Sequence, residues 1–262
     1  MFTDVDEVPV AWREAGSGLP VVFLHGLGMT RTGWDAQLAA LSDRYRCVAW
    51  DMPGYGASPA LEDFSLEAAA DAAAGLITQL GGSSHVVGMS MGGMVALQLA
   101  LRHPACVRSL SLVDTSSAFG LDGTDSEEWK AARLAPMLAG AEVADFAEPV
   151  LRGVMAPDPD PAVVAAAVAS MLRVPRAGLM QAIAALPDHD LRARLGEIAA
   201  PTLVVVGELD EETPPAYAAA LAVGISGARL EVILGAGHLT PFETPAALSR
   251  LLRDHIDMVE AA

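Results

Sequence analysis

The sequence predicts an α/β fold built on a mostly parallel β-sheet. Short apolar runs alternate with longer stretches of helical pattern along most of the 262 residues. Several of the short runs are apolar throughout, which is typical of strands covered by helices on both faces. One long stretch, from about Ser117 to Pro187, contains no strand-like run, and this indicates a helical insertion between two strands of the sheet.

The predicted elements follow one another in a regular order. The strand candidates are Val8–Glu14, Val21–Leu24, Cys47–Trp50, His85–Gly88, Leu110–Val113, Leu203–Val206 and Leu230–Leu234. The helical stretches are Trp34–Leu41, Leu66–Leu80, Met91–Arg102, Pro214–Ala222 and Pro245–Met258. The expected organisation is a first core segment (1–116), an inserted helical segment (117–187) and a second core segment (188–262).

Composition and charge restrict the partners of this chain. Lys and Arg total 16 against 33 Asp and Glu, a formal net charge of -17, so the surface repels nucleic-acid phosphates and anionic bilayers. The N-terminal residues lack the basic and apolar regions of a secretory signal. Cys47 and Cys106 lie in or beside apolar segments without metal-ligand spacing, and we expect buried, reduced thiols. The expectations are a cytoplasmic location, no nucleic-acid or membrane partner, and a small-molecule substrate.

The stretch V-V-G-M-S-M-G-G, residues 86–93, places one serine between glycines. A strand that ends at Gly88 and a helix that starts at Met91 put Ser90 on a tight turn, where Gly88 and Gly92 avoid steric clash. The hydroxyl then projects from the sheet edge at a helix N-terminus, whose N–H groups favour a developing negative charge. This is the G-x-S-x-G pattern of a nucleophilic serine, although an N-cap serine in a glycine-rich turn has the same local sequence.

A serine nucleophile needs an imidazole to accept its proton and a carboxylate to orient that imidazole. The run G-A-G-H after the last predicted strand places His238 in a loop, and G-E-L-D after the preceding strand places Asp210 in another. Ser90, Asp210 and His238 thus follow the chain order Ser, Asp, His known for this kind of turn. We expect His238 to titrate near the ~6.5 of free imidazole.

Four motifs in the correct order make the chain resemble the α/β-hydrolase superfamily over essentially its full length. They are F-L-H-G-L-G-M (23–29), W-D-M-P-G-Y-G-A-S (50–58), G-x-x-D-x-x-x-P (207–214) and G-H (237–238). The resemblance implies an α/β-hydrolase fold, with a mostly parallel eight-stranded sheet flanked by helices and a helical cap formed by 117–187. It also implies an oxyanion hole from the backbone N–H groups of Met91 and Leu27, with Gly28 as the alternative to Leu27, and no cofactor.

Two residues have competing interpretations. Asp114 ends the strand Leu110–Val113, a position from which some members of the family take their acid, but only Asp210 has the family's spacing to the preceding glycine. His25 follows an apolar strand and precedes a glycine, which favours a buried residue that fixes the oxyanion loop over a proton carrier.

The combined motifs predict a serine hydrolase that cleaves a small or medium carboxylic ester or lactone. The S-M-G-G turn and the T-P-P after the acid are most similar to 3-oxoadipate enol-lactonases and small carboxylesterases. A C–C bond hydrolase, a cofactor-free perhydrolase or haloperoxidase, and a non-catalytic binding module on the same fold are alternatives.

The insertion carries the aromatic residues Phe119, Trp129 and Phe146, expected in an apolar ceiling over Ser90. It also carries four arginines, any of which would hold a substrate carboxylate if it faced the pocket: Arg133, Arg152, Arg173 and Arg176.

Overall fold

A computed structural model describes residues 2–5 and 10–262, and this part of the chain contains eight strands in one sheet. They are β1 (Thr3–Val5), β2 (Trp12–Ala15), β3 (Pro20–Leu24), β4 (Arg46–Trp50), β5 (Ser84–Met89), β6 (Val107–Val113), β7 (Thr202–Gly207) and β8 (Arg229–Ile233). Their order in the sheet is β1-β2-β4-β3-β5-β6-β7-β8. β2 is antiparallel to β1 and β4, and the other neighbours are parallel. The predicted α/β fold with a mostly parallel eight-stranded sheet is confirmed.

Ten α-helices connect the strands of the described chain. They are α1 (Asp35–Leu41), α2 (Leu66–Gln79), α3 (Met91–Arg102), α4 (Ser126–Leu138), α5 (Val143–Val154), α6 (Pro161–Met171), α7 (Arg176–Ala185), α8 (Pro215–Gly224), α9 (Thr240–Glu243) and α10 (Pro245–Glu260). Short 3₁₀ segments lie at Arg31–Trp34, Pro104–Cys106, Leu186–Asp188 and Arg192–Glu197. α2 packs against α3 and α1 against α10. Helices therefore cover the sheet, and β3, β5 and β7 are buried throughout.

The ends of the sheet differ from the sequence prediction. The predicted strand Val8–Glu14 corresponds to β2, which begins at Trp12, while residues 8 and 9 lie outside the described residues. β1 was not predicted, because three mostly exposed residues carry no apolar pattern. The last strand spans Arg229–Ile233 instead of Leu230–Leu234. Leu230 and Val232 are exposed, since β8 is an edge strand, whereas Ile233 is buried.

The segment between β6 and β7 carries α4, α5, α6 and α7. α4 packs against α7 and α5 against α6, so these helices form two pairs. α6 also contacts the 3₁₀ segment at Arg31–Trp34 and helix α9, which joins the inserted helices to the loops at the carboxyl edge of the sheet.

Two smaller observations concern the cysteines and the apolar helices. Both cysteines are free thiols, but only Cys47 is buried, whereas Cys106 is partly exposed at the end of its 3₁₀ segment. The expectation of two buried thiols is therefore wrong for Cys106. No single helix among the described residues has the length and apolarity to cross a membrane. The helices Pro161–Met171 and Arg176–Asp188 reach that length and apolarity only when taken together, and they are bent by 93° relative to each other.

Candidate active site

Ser90 sits on a strained turn between β5 and α3. Its backbone angles are φ 53° and ψ -123°, a conformation that residues with a side chain rarely adopt. The flanking glycines are required by close backbone contacts, because a Cβ on Gly88 would lie 2.3 Å from the carbonyl oxygen of Gly92. A Cβ on Gly92 would lie 2.1 Å from the carbonyl oxygen of Leu24. The structure therefore holds the Ser90 side chain clear of both elements, as the G-x-S-x-G pattern predicts.

The structure brings together the three side chains that the sequence singled out. His238 Nε2 lies 3.0 Å from Ser90 Oγ. On the other side of the imidazole, His238 Nδ1 lies 2.9 Å from Asp210 Oδ2. The three residues follow β5, β7 and β8, whose carboxyl ends meet at one edge of the sheet. They form a continuous hydrogen-bonded chain from a hydroxyl to a buried carboxylate.

Asp210 is fixed by its own loop. Its Oδ1 accepts hydrogen bonds from the backbone N–H groups of Glu212 and Thr213, both at 2.9 Å. The Thr213 hydroxyl donates to Asp210 Oδ2 at 2.8 Å. The sequence analysis missed Thr213, although an aspartate that bonds the N–H groups two and three residues later is a familiar turn arrangement. These bonds leave Asp210 Oδ2 oriented toward His238.

The loop that carries His238 is held by a second residue that the sequence analysis missed. The Glu243 carboxylate accepts hydrogen bonds from the N–H groups on both sides of the histidine, that of Gly237 at 3.1 Å and that of Leu239 at 2.9 Å. It also accepts one from the N–H of Ala156, which follows α5, at 2.8 Å. Glu243 thus links the histidine loop to the inserted helices. No motif indicated this, because the contact joins segments far apart in sequence.

Burial and charge act in opposite directions on the titration of His238. Burial lowers the pKa of His238, but the negative charge and hydrogen bond of Asp210 outweigh it and raise the pKa above the usual value of 6.5. Burial likewise opposes the ionised form of Asp210, yet the attraction of His238 and the bonds from Thr213 hold the pKa of Asp210 below its usual range. The expectation that His238 titrates near free imidazole is therefore wrong. Asp210 favours a positive charge on the histidine.

Asp114, the competing acid candidate, is buried behind these loops. Its Oδ1 accepts a hydrogen bond from the backbone N–H of Gly207 at 2.9 Å. Within the described residues, no hydrogen bond joins Asp114 to His238. The geometry therefore favours Asp210 as the partner of the imidazole.

The loop after β3 packs directly against the serine. A Cβ on Gly26 would lie 3.0 Å from Ser90 Cβ, which is closer than ordinary van der Waals contact, so glycine suits this approach. The ring of His25 is fixed on both sides, because its Nε2 accepts from the Met52 N–H at 3.0 Å and its Nδ1–H donates to the Gly26 carbonyl at 3.0 Å. Burial lowers the pKa of His25, which keeps the ring neutral. His25 therefore fixes the loop that leads into Leu27 and Gly28.

A cavity of about 610 Å³ opens over Ser90 and His238. Phe119, Trp129 and Phe146 contribute to its wall, as the expectation of an apolar ceiling required. Of the four arginines of the insertion, only Arg133 lies in the described wall, and the other three lie outside it. Carboxylate side chains at the wall are Asp122, Glu211 and Glu212.

Comparison with known proteins agrees with the fold and the motifs. The sequence profile of the Alpha/beta hydrolase family matches residues 21–251. The chain belongs to this family. Among solved structures, this α/β hydrolase is similar to a thermophilic esterase from Thermogutta terrifontis, with 30% identity, 99% of each chain covered and a TM-score of 0.87. It is also similar to the enol-lactonase from Burkholderia xenovorans LB400, with 25% identity, 97% and 100% coverage and a TM-score of 0.87.

Two relatives by sequence cover almost the whole hydrolase. A pimeloyl-[acyl-carrier protein] methyl ester esterase from Neisseria meningitidis is 33% identical over 246 residues, which are 91% of this chain and 77% of the relative. A putative carbamate hydrolase from Variovorax paradoxus is 34% identical over 256 residues, 93% of this chain and 94% of the relative. Membership of the α/β-hydrolase family, including esterases and an enol-lactonase, is therefore established, and it supports a hydrolytic activity.

Proposed function

We propose that this protein is a serine hydrolase that cleaves a small or medium carboxylic ester or lactone through an acyl-enzyme on Ser90. The observation that carries the proposal is the hydrogen-bonded chain Ser90–His238–Asp210, with distances of 3.0 and 2.9 Å. Each group has the chemistry that its position requires: a nucleophile, a base and a carboxylate that orients the base.

The first step is attack of Ser90 Oγ on the substrate carbonyl while its proton moves to His238 Nε2. Because His238 Nδ1–H donates to Asp210, Nε2 is the unprotonated nitrogen of the neutral ring and can accept that proton. The Asp210 charge stabilises the imidazolium that forms. His238 then donates the proton to the leaving oxygen, and water, activated by the same nitrogen, releases the acid and regenerates Ser90.

The backbone N–H groups of Met91 and Leu27 would stabilise the negative oxygen of the tetrahedral intermediate. Met91 is the first residue of α3, where N–H groups have no partner four residues earlier in the helix. Leu27 follows Gly26, whose close approach brings this loop against Ser90. The Gly28 N–H is the alternative to that of Leu27 as the second donor.

The segment 117–187 would act as a cap that shapes the substrate site. Residues of α4, α5, α6 and α7 contribute to the wall of the cavity over Ser90. Much of that wall is apolar, for example Met137, Leu151, Met171, Leu179 and Ile183. A cavity of about 610 Å³ fits a free small-molecule substrate, within the usual size of ligand pockets.

The activities for which the relatives are named favour this reaction over the alternatives. The Neisseria meningitidis relative is named for methyl ester cleavage, and the Burkholderia xenovorans structure for an enol-lactone. Ester and lactone cleavage share the same acyl transfer to a serine, so one site serves both. A C–C bond hydrolase, a perhydrolase and a non-catalytic binding module remain outcomes of the test.

Covalent labelling combined with a hydrolysis screen tests the proposal. A fluorophosphonate probe should modify one residue of the wild type, and Ser90→Ala should abolish both labelling and turnover of aryl esters and lactones. His103→Ala, which removes a half-exposed histidine paired with Asp71, serves as the control and should keep both. Labelling that persists in Ser90→Ala, or turnover by the wild type without labelling, would contradict the assignment.

A further inference from the structure

Arg133 on α4 places a positive charge in the wall of the cavity above Ser90. Its guanidinium carbon lies 4.2 Å from the centre of the Trp129 ring, so the aromatic face supports one side of the group. Its one hydrogen bond to the described residues joins Nη2 to Glu212 Oε2 at 3.5 Å, the far limit for such a bond. Nε and Nη1 therefore keep donors that no part of the described chain uses.

The neighbouring arginines of the insertion are different. Arg152 Nε donates to Glu148 at 2.8 Å and Arg176 Nη1 to Glu142 at 3.0 Å, and both arginines lie outside the described cavity wall. Arg173 is exposed, also outside that wall. Arg133 differs from Arg152 and Arg176 in its partner and not in its exposure, because its side chain is 37% exposed against 43% and 40%, but its carboxylate partner lies at 3.5 Å instead of 2.8 and 3.0 Å. An arginine without a close carboxylate keeps more of its donors for an anionic ligand than a closely paired arginine does.

We propose that Arg133 binds a free carboxylate of the substrate, so that this hydrolase prefers esters or lactones that carry a second, ionised carboxylate. The inference rests on the proposed function and adds its substrate class. The planar guanidinium lies over Trp129 and presents its remaining N–H donors at the edge of the fork, which matches the two oxygens of a carboxylate. The substrate would then span the cavity, with its anion at Arg133 and its scissile carbonyl at Ser90.

The acidic residues of the wall make this position selective. Asp122 and Glu211 also line the cavity and repel a substrate anion, whereas Arg133 is the one arginine or lysine of the described wall. Glu212 competes with the substrate for the same guanidinium, but only through the 3.5 Å contact. Removing the charge of Glu212 should therefore strengthen anion binding, and removing Arg133 should abolish the preference. The two substitutions should therefore shift the preference for the anionic substrate in opposite directions, whereas general damage to the fold would not.

The experiment compares the monomethyl and dimethyl esters of straight-chain dicarboxylic acids from succinate to suberate. The monomethyl ester carries the carboxylate and the dimethyl ester is its neutral counterpart, so the readout is the ratio of their kcat/KM values. Arg133→Ala should lower this ratio at the best chain length by about 10- to 100-fold, the range expected for charge-assisted hydrogen bonds. Arg133→Lys should lower it less, and Glu212→Gln should raise it. Added salt should reduce the ratio in the wild type.

The control is Arg173→Ala, which removes one positive charge from the same segment outside the described wall and should leave the ratio as in the wild type. A second measurement does not need catalysis: calorimetric binding of the monomethyl esters to the Ser90→Ala protein, with and without Arg133→Ala. Loss of binding with Arg133 supports the inference even where no ester is turned over, an outcome that removes only the proposed function. Equal ratios and equal binding with and without Arg133 overturn the inference.

Discussion

The carboxylate of Asp114 accepts a hydrogen bond from the hydroxyl of Thr240 at 2.6 Å, which ties the end of β6 to the residues just after the histidine loop. Its other oxygen accepts from the Gly207 N–H at the end of β7. Burial, reinforced by the negative charge of Asp210, raises the pKa of Asp114 and favours its neutral form. Asp114 therefore joins the end of β7, which leads to Asp210, to Thr240, which lies two residues after His238, and we assign it a positioning role instead of that of the acid.

The first prediction separates the two aspartates. Asp210→Asn should lower kcat by about 10²- to 10⁴-fold, because an amide that donates to His238 Nδ1 selects the wrong tautomer of the imidazole. Asp114→Asn should lower kcat less than about 10-fold, since it changes loop support and not the imidazole's partner. Steady-state kinetics on one aryl ester check both variants, with thermal unfolding as a measure of structural damage. A larger kcat loss in Asp114→Asn would identify Asp114 as the acid.

The second prediction concerns the pH dependence of kcat/KM. His238 must be neutral to accept the Ser90 proton, and Asp210 raises the pKa of His238 above 6.5 against the effect of burial. Activity should therefore fall on the acid side at a pH higher than 6.5.

The residual activity of Asp210→Asn supplies the matching test. Without the negative charge of Asp210, burial dominates and the pKa of His238 falls, so the acid limb should move to lower pH while the plateau drops. Rates on a neutral ester between pH 5 and pH 10 locate the acid limb of the wild type and that of the variant. An acid limb that stays in place or moves upward in the variant would contradict the assigned pairing.

The sequence predicted β2 to β8 as strands along the chain, and it predicted the loops that carry Ser90, Asp210 and His238, because each of these residues follows a glycine at a strand end. It could not predict the pKa of His238, which depends on the distance to a carboxylate in another loop. Glu243 was missed because its bond to Ala156 joins segments far apart in sequence, and its local bonds to Gly237 and Leu239 follow no motif.

The sequence also could not predict which of the four arginines of the insertion lies in the cavity wall. All four lie in one helical segment, and helical periodicity alone does not show which side of each helix turns toward Ser90. The packing of α4 on α7 settles this by placing Arg133 in the cavity wall. Edge strands were the weakest part of the fold prediction, because β1 and β8 are partly exposed and lack the continuous apolar pattern of β3 or β5.

The third prediction tests the packing of the serine turn with a matched pair of helical glycines. Gly92→Ala would place a Cβ 2.1 Å from the carbonyl oxygen of Leu24, so β3 and α3 would have to separate. We expect a loss of at least about 2 kcal/mol in the free energy of unfolding and a large loss of activity. Gly75→Ala in α2 meets no atom within 4 Å and should be neutral or stabilising by up to about 1 kcal/mol, because alanine favours helix. Chemical denaturation of both variants provides the measurement, and equal effects would refute the packing argument.

The last prediction concerns acid stability and depends on His189, which lies outside the proposed triad. Its ring is buried and its Nε2–H donates to the Ser116 carbonyl at 3.2 Å. Burial lowers the pKa of His189 from 6.5 to about 4, an effect that the hydrogen bond only partly offsets. Between these two values the unfolded chain binds a proton that the folded chain does not, so stability is present in full above the unfolded pKa and falls as the pH drops.

For this one group the loss between pH 7 and pH 5 is about 2 kcal/mol. His189→Gln keeps a donor for the Ser116 carbonyl but cannot titrate, so its unfolding free energy should fall less over that interval than that of the wild type. Urea denaturation at pH 8, pH 7 and pH 5 measures this, and the value at pH 8 separates any cost of the substitution itself from the titration. If the variant loses as much stability as the wild type between pH 7 and pH 5, the folded protein admits a proton at His189, and the burial of that ring does not control its acid stability.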